Sequence, residues 1–307
     1  MAGIELKKIW MDGKLVPWKK AQVHVLTHAL HYGTAIFEGL RCYSTKKGPA
    51  VFRLKDHIAR LYRGAKSYHF EIPYSQEQFR KAVFQVIKVN KVDHCYIRPI
   101  IYLGYKTMGL SMKDVPVKVA IAPVRFDHYF DPKKAERGLH CCISSWHRIS
   151  VNQLSPHVKA SANYMNSVLA KAEAEREGFD EAIMLTDEGH VSEGTGENIF
   201  LARKGKLITP PFYDSVLGGV TRESVIEMAK DLGYVVEEKS VLRDELYTAD
   251  EVFMTGTASE INFISRVDDV TIGKGKKGPI TAALQKKFRG IVTGKEPRYE
   301  KWLEYVR

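Results

Sequence analysis

Apolar and polar positions along the chain switch between a two-residue and a helical period. Residues 9–18, IWMDGKLVPW, set apolar runs on either side of Asp12-Gly13, the form of a hairpin. Residues 51–70, VFRLKDHIARLYRGAKSYHF, open as a short strand and become a helix with Ile58, Leu61, Tyr62 and Ala65 on one face. Ser75, with Gln78 three residues on, is a capping-box pattern and predicts a second amphipathic helix through Asn90. The runs CYIRPIIYLGY (95–105) and VPVKVAIAPV (115–124) are rich in β-branched residues and tyrosine and predict strands. RFDHYFDPKKAERG (125–138) follows neither period and reads as a connection. Beyond it come a strand, LHCCISSW (139–146), a loop to residue 160, and a helix with Tyr164, Val168, Leu169 and Ala172 on one stripe and Gly178 past its end. Two strands, DEAIMLTD and HVSEGTGENIFLAR, flank a turn at Glu188-Gly189; a TRESVIEMAKDLG helix, VVEEKSV and EVFMTG strands and a helix over 279–292 follow. The pattern is α+β in two domains, for which 307 residues suffice.

Composition narrows the class. With 44% hydrophobic and 27% charged residues the chain is expected to be a soluble globular protein. No apolar run approaches the ~20 residues needed to span a bilayer. The first residues, MAGIELKKIWMDGKLVPW, carry charges and a glycine turn where a signal peptide is apolar, so the expected location is cytoplasmic, with no membrane partner. The four cysteines are too few and too irregular for a disulfide framework or zinc ribbon, so no metal is expected and buried thiols are. Cys141 and Cys142 are adjacent and face opposite ways in a strand. The formal charge of +11 raises nucleic-acid binding, but the basic residues are dispersed and the densest cluster, GKGKKG (273–278), is a short glycine-rich loop. No nucleic-acid partner is expected; the balance suits anionic small molecules.

Candidate chemistry lies in three places. Lys159, in SPHVKASANYMNS, has small or apolar neighbours in Val158, Ala160, Ser161 and Ala162. Schiff-base chemistry needs an amine whose charge is discouraged, which such a cavity provides, although a surface lysine fits the same run. In HVSEGTGENIF, Glu193 precedes Gly194-Thr195-Gly196. A pyridoxal ring acts as an electron sink only while its nitrogen keeps a proton, which a carboxylate secures. Glu193 could be that carboxylate; Glu197 competes on period alone, and a solvated hairpin glutamate is the plain alternative. SVLGGVTRES (215–224) sets Gly218-Gly219 and Thr221 at a helix mouth, and MTGTASE (254–260) sets Gly256-Thr257-Ala258 after a strand. Each turn alone reads equally as a loop; together their amides and hydroxyls point to an anion site.

These blocks combine into a more specific likeness. Glu193-Gly-Thr-Gly-Glu-Asn198-Ile-Phe200, Leu207-Ile-Thr209 and Leu217-Gly-Gly-Val-Thr-Arg222 resemble the class IV aminotransferase signature in residue type and spacing. The likeness to bacterial and archaeal branched-chain aminotransferases covers nearly the whole chain, through HYGTAIFEGLRCY (31–43), VFRLKDHIARL (51–61), YIRP (96–99), SSWHR (144–148), KASANY (159–164) and EVFMTGTASE (251–260). It implies pyridoxal-phosphate fold type IV, like D-amino-acid aminotransferase. The implied domains are a small α/β domain (1–124), an interdomain loop (125–135) and a large pseudo-barrel domain binding the cofactor (136–307). It implies a homodimer or higher oligomer. By position, Lys159 would form the internal aldimine and Glu193, rather than Glu197, would pair with the pyridinium nitrogen. Tyr164 would bond the ring hydroxyl, Arg60, Val220, Thr221 and Thr257 would hold the phosphate, and Leu217 would pack on the ring.

The same resemblance implies the substrates: leucine, isoleucine and valine exchanging with 2-oxoglutarate to give 2-oxo acids and L-glutamate, by a ping-pong mechanism. Phe37 and Gly39 would line the pocket, with Tyr32, Tyr96 and Tyr129 as polar edges. Tyr96 and Arg98 point to one face if their run is a strand. Arg98 would meet the side-chain carboxylate of glutamate, while Tyr96 and the amides of Thr257 and Ala258 take the α-carboxylate. Residues near Tyr32 and Leu110 would reach into the pocket of a second copy. PVRFDHYF (123–130) departs from the family, where tryptophan often stands at Phe126 and neither Arg125 nor Asp127-His128 is present. That loop motivates a secondary activity on (R)-amines or aromatic amino acids. D-amino-acid aminotransferase and aminodeoxychorismate lyase, of the same fold, are the alternatives.

Overall fold

The computed structural model describes residues 5–125 and 129–306, a mixed α+β chain. It divides into two compact units: Met1–Asp127 with Val158–Ala162 and Gly290–Arg307, and His128–His157 with Asn163–Arg289. Among the described residues no helix is long and apolar enough to cross a membrane.

The first unit is built on strands β1 (Lys8–Met11), β2 (Lys14–Pro17), β3 (Ala35–Phe37), β4 (Leu40–Thr45), β5 (Gly48–Phe52), β6 (Cys95–Leu103) and β7 (Val117–Val124), with helices α1 (His28–Tyr32), α2 (Leu54–Ser67) and α3 (Gln76–Asn90). The sheet runs from the C-terminal strand Leu303–Tyr305 through β5, β4, β6, β7 and β1 to β2, with β3 also on β6. The hairpin at Asp12-Gly13 forms because both residues adopt left-handed backbone, φ 45° and 86°, which a two-residue turn between twisted strands requires. On α3 the predicted capping box is made: Gln78 N donates to Ser75 Oγ and Ser75 N to Gln78 Oε1. Phe79, Ala82, Val83, Val86 and Ile87 of α3 join Leu54, Ile58, Leu61 and Ala65 of α2 in one core with Ile97, Ile101 and Ile121 of β6 and β7. Each such large aliphatic or aromatic side chain, fully buried, contributes about 1.5–3 kcal/mol.

The second unit carries helix α4 (Pro132–Arg137), strand β8 (Leu139–Ile143), helix α5 (Tyr164–Arg176), β9 (Glu181–Leu185), β10 (Val191–Gly194), β11 (Asn198–Arg203), β12 (Lys206–Thr209), helix α6 (Val220–Asp231), β13 (Val236–Glu238), helix α7 (Arg243–Tyr247), β14 (Glu251–Gly256), β15 (Glu260–Val267), β16 (Val270–Thr271) and the start of helix α8 (Pro279–Val292). Its sheet order is β10-β9-β8-β15-β14-β11-β12-β13, with β16 on β15. Two expectations need correcting. The single strand predicted over HVSEGTGENIFLAR is two, β10 and β11, because Gly194 N bonds Glu197 O at 2.7 Å and closes a tight turn between them. Helix α5 does not bury the stripe Tyr164, Val168, Leu169 and Ala172. Its buried residues are Ser167, Ala170 and Ala174, and Val168 is 56% exposed. Ala170 and Ala174 pack with Cys142, Ala182 and Met184, so small side chains let the helix approach the sheet closely, while Met165 and Val168 are exposed.

All four cysteines are free and buried. Cys141 lies in a cluster with Leu139, Ile183 and Ile264, whereas Cys142 packs with the alanines of α5, so the adjacent thiols enter opposite faces of the sheet.

Candidate active site

In the first unit the segment joining β3 to β4 carries Phe37, Glu38 and Gly39. Phe37 N donates to Lys159 O at 3.0 Å and Ile36 bridges Ala160, so the Lys159 main chain is held beside β3. Val158 and Ala160, on either side, are buried in the core of this unit. Lys159 Nζ stands 5.1 Å from the centre of the Phe37 ring. Arg98 approaches the same ring, its Cζ 4.7 Å from the centre, and its Nη2 donates to Tyr96 Oη at 2.9 Å. Tyr96 and Arg98 share a face of β6, as the strand period predicts. Gly39 is required for this packing: a Cβ there would overlap the Tyr96 hydroxyl and lie 2.9 Å from Tyr96 Cζ.

Arg60 of α2 is held by Glu38. Its Nε donates to Glu38 Oε1 at 2.6 Å and its Nη2 to Oε2 at 2.8 Å, while His57 Nδ1 lies 2.8 Å from Oε2 and Gly39 N donates to it at 3.2 Å. Burial alone would push the Glu38 carboxyl up, but the Arg60 charge and then His57 outweigh it and hold it far below the usual carboxylate range. Burial pulls the His57 imidazole below its ordinary range against the raising influence of Glu38, so the ring is neutral near pH 7. Elsewhere in this unit Gly109 N donates to Tyr32 Oη at 3.3 Å, which brings the loop of Leu110, 80% exposed, beside Tyr32.

In the second unit the Gly194–Glu197 turn sets Glu193 near the end of β10 and Asn198 at the start of β11. Glu193 is buried. Its Oε1 pairs with Arg148 Nη2 at 2.8 Å, and its Oε2 accepts from Asn198 Nδ2 and Leu217 N, each at 2.9 Å. Asn198 Nδ2 also donates to Leu217 O at 2.9 Å, so the main chain of Leu217 is locked beside the carboxylate. Glu197 accepts from Gly196 N within its own turn at 3.1 Å.

The double glycine is packed closely by protein side chains. A Cβ on Gly219 would overlap Asn198 Oδ1, and one on Gly218 would press the Phe212 ring, so these glycines make room for protein side chains. Helix α6 still starts at Val220, with Thr221 buried in its first turn and its leading amides unpaired within the helix. The Gly256-Thr257-Ala258 turn lies against the Gly194–Glu197 turn, since a Cβ on Gly256 would stand 3.5 Å from Gly196 O. Tyr129 Oη lies 3.9 Å from the corresponding position of Gly196. Tyr164 opens α5 and is half-buried. Phe126 falls outside the described residues.

Sequence reasoning brought out Lys159, Glu193, Arg60, Tyr96, Arg98 and Leu217 but gave no role to Arg148 and Asn198, which hold Glu193, to Glu38, which holds Arg60, or to His57, which bonds Glu38. Arg148 and Asn198 stand inside quoted blocks, SSWHR and EGTGEN, whose only signal was a polar side chain in a buried run. His57 and Arg60 are three apart on α2, a spacing that puts both on one partner, but Glu38 is some 20 residues away and no period links them.

Comparisons with known proteins place the chain in a family. The amino-transferase class IV family matches residues 35–267. The branched-chain-amino-acid aminotransferase of Escherichia coli (strain K12) is 42% identical over 299 residues, 97% of each chain. The branched-chain aminotransferase of the thermophilic archaeon Thermoproteus uzoniensis, solved with norvaline, superposes with a TM-score of 0.94 at 42% identity, over 99% of this chain and 100% of that one. The holo form of the Thermobaculum terrenum branched-chain amino acid aminotransferase, with pyridoxal phosphate, gives 0.91 at 36% identity, over 98% of this chain and 99% of that one. The fold is therefore that of the type IV pyridoxal-phosphate enzymes, and the family match takes in the buried Glu193 pair, the Lys159 segment and both turns. On that match, and on the 42% identity over nearly the whole chain, this chain belongs to the class IV aminotransferases and is an aminotransferase.

Proposed function

We propose that the protein transaminates leucine, isoleucine and valine with 2-oxoglutarate, using pyridoxal phosphate attached at Lys159. The observation that carries the reading is the Phe37 ring, which has Lys159 Nζ and the Arg98 guanidinium within about 5 Å, with Arg98 bonded to Tyr96. An apolar wall with the Arg98 guanidinium beside the Lys159 attachment point suits a pocket that must take an aliphatic side chain and then the carboxylate of glutamate.

The donor set fits the cofactor. Arg60, the α6 amides at Val220 and Thr221, and Thr257 would hold its phosphate; Tyr164 its ring hydroxyl; Leu217 its ring face. Pyridoxal phosphate, when bound, supplies an electron sink for the charge left when the substrate's α-carbon loses its proton. Lys159 Nζ takes and returns that proton. Glu193, fixed by Arg148 and Asn198, keeps a proton on the pyridine nitrogen. Tyr96 and the amides of Thr257 and Ala258 bind the α-carboxylate, and Arg98 the glutamate side chain. Phe37, Gly39, Tyr32 and Tyr129 exclude water from the rest. In ping-pong order the first amino acid leaves as its 2-oxo acid, and 2-oxoglutarate then leaves as L-glutamate.

A homodimer or larger assembly belongs to the same reading, with Leu110 of one copy covering the pocket of another; the exposure of Met108, Leu110 and Met112 supports it. The charged residues Arg125 and Asp127-His128 in the loop about Phe126 support a wider range that includes (R)-primary amines.

The purified enzyme given L-leucine and 2-oxoglutarate should form L-glutamate and show parallel-line kinetics. Preference for D-alanine, or pyruvate release from aminodeoxychorismate, would replace the proposal by one of its same-fold alternatives. An (R)-1-phenylethylamine arm with no turnover removes the secondary activity alone. Gly39→Ala should raise the KM for L-leucine roughly tenfold at unchanged Tm, because it displaces the Tyr96 hydroxyl. An unchanged KM would count against Tyr96 as a substrate group.

A further inference from the structure

We propose that Glu38 is a positioning residue that sets the enzyme's preference for a phosphorylated cofactor by fixing the guanidinium of Arg60. The inference rests on the reading of Arg60 as a phosphate ligand. Glu38 is 1% exposed, and burying a carboxylate is costly unless it is paired and hydrogen-bonded. It is paired on both sides by α2, with Arg60 gripping both oxygens and His57, one turn earlier, bonding Oε2. A clamp between α2 and the sheet needs no charge, since apolar residues would serve. What the charge adds is direction.

A bidentate pair fixes the plane of a guanidinium and the side it presents, because its five N–H groups are coplanar. With Nε and Nη2 committed to Glu38, the remaining N–H groups have one orientation before any anion arrives. The ordering cost of a long side chain is then met on folding and not on binding. Arg60 is the larger of the two influences that answer the Glu38 charge, ahead of His57. The opposing effect is repulsion between Glu38 and a phosphate, which would weaken binding. The two effects differ in sign, so a substitution decides between them.

The experiment titrates the apoenzyme with pyridoxal phosphate and with pyridoxal, which lacks the phosphate, and reads each Kd by protein fluorescence. In Glu38→Gln the amide N–H2 faces an Arg60 donor whichever way it is turned, since Arg60 bonds both oxygens, and the fork is lost. The preference for the phosphorylated cofactor should fall about tenfold or more, with pyridoxal affinity within about twofold of wild type. Equal loss for both ligands, as a merely structural role would give, overturns the inference; so does an unchanged or increased preference. Glu38→Asp keeps the charge but withdraws it by one methylene, and should show the same loss, which preserves the test if the glutamine variant does not fold. Arg60→Met separates the two readings. If it leaves the preference intact, Arg60 does not hold the phosphate; if it abolishes the preference while the Glu38 variants do not, only the role of Glu38 fails.

Discussion

Lys159→Ala is expected to leave less than about one thousandth of the wild-type transamination rate, since it removes both the attachment point of the cofactor and the base at the α-carbon. The fold should survive. What ties this segment into the first unit is main chain and neighbours: Phe37 N to Lys159 O, the Ile36–Ala160 bridge, and buried Val158 and Ala160. None of these uses the lysine side chain. The measurement is glutamate formation from L-leucine and 2-oxoglutarate alongside a melting curve. A variant that keeps a tenth of the activity at normal Tm would sink the assignment of Lys159.

The second large effect is expected at Glu193. Glu193→Gln should lower kcat by about 100-fold or more, because a neutral amide cannot secure the proton on a pyridine nitrogen. It should also cost about 1–3 kcal/mol of stability, since an amide placed between Arg148 on one side and Asn198 and Leu217 N on the other sets a donor against a donor. Glu197→Gln is the control. Its hydrogen bond to Gly196 N lies within the turn, so kcat should stay within about fivefold of wild type. A larger loss of kcat at Glu197 than at Glu193 would reverse the choice between the two carboxylates.

Local chemistry was legible in the sequence where neighbours along the chain decide the outcome. Asp12-Gly13 turns the hairpin and Ser75 with Gln78 caps α3, because both depend on residues two or three apart. Tyr96 and Arg98 share a face for the same reason. What sequence pattern missed depends on distant partners. It offered no hint that Gly219 clears space for Asn198, 21 positions earlier, or that Glu38 would meet α2. The α5 stripe failed because size, and not hydrophobicity, decided which face could approach β9. The run 190–203 reads as one strand only when the Gly194-Thr195-Gly196 turn signal is passed over, and the backbone turns there.

The buried cysteines make the molecule its own stability probe. Cys42 and Cys95 lie in the first unit and Cys141 and Cys142 in the second, so a thiol reagent can react with each pair only as that unit opens. Mass spectrometry of the labelled peptides would time the opening of the two units separately in the unmodified enzyme. Repeating it with cofactor added would tell which unit the ligand protects.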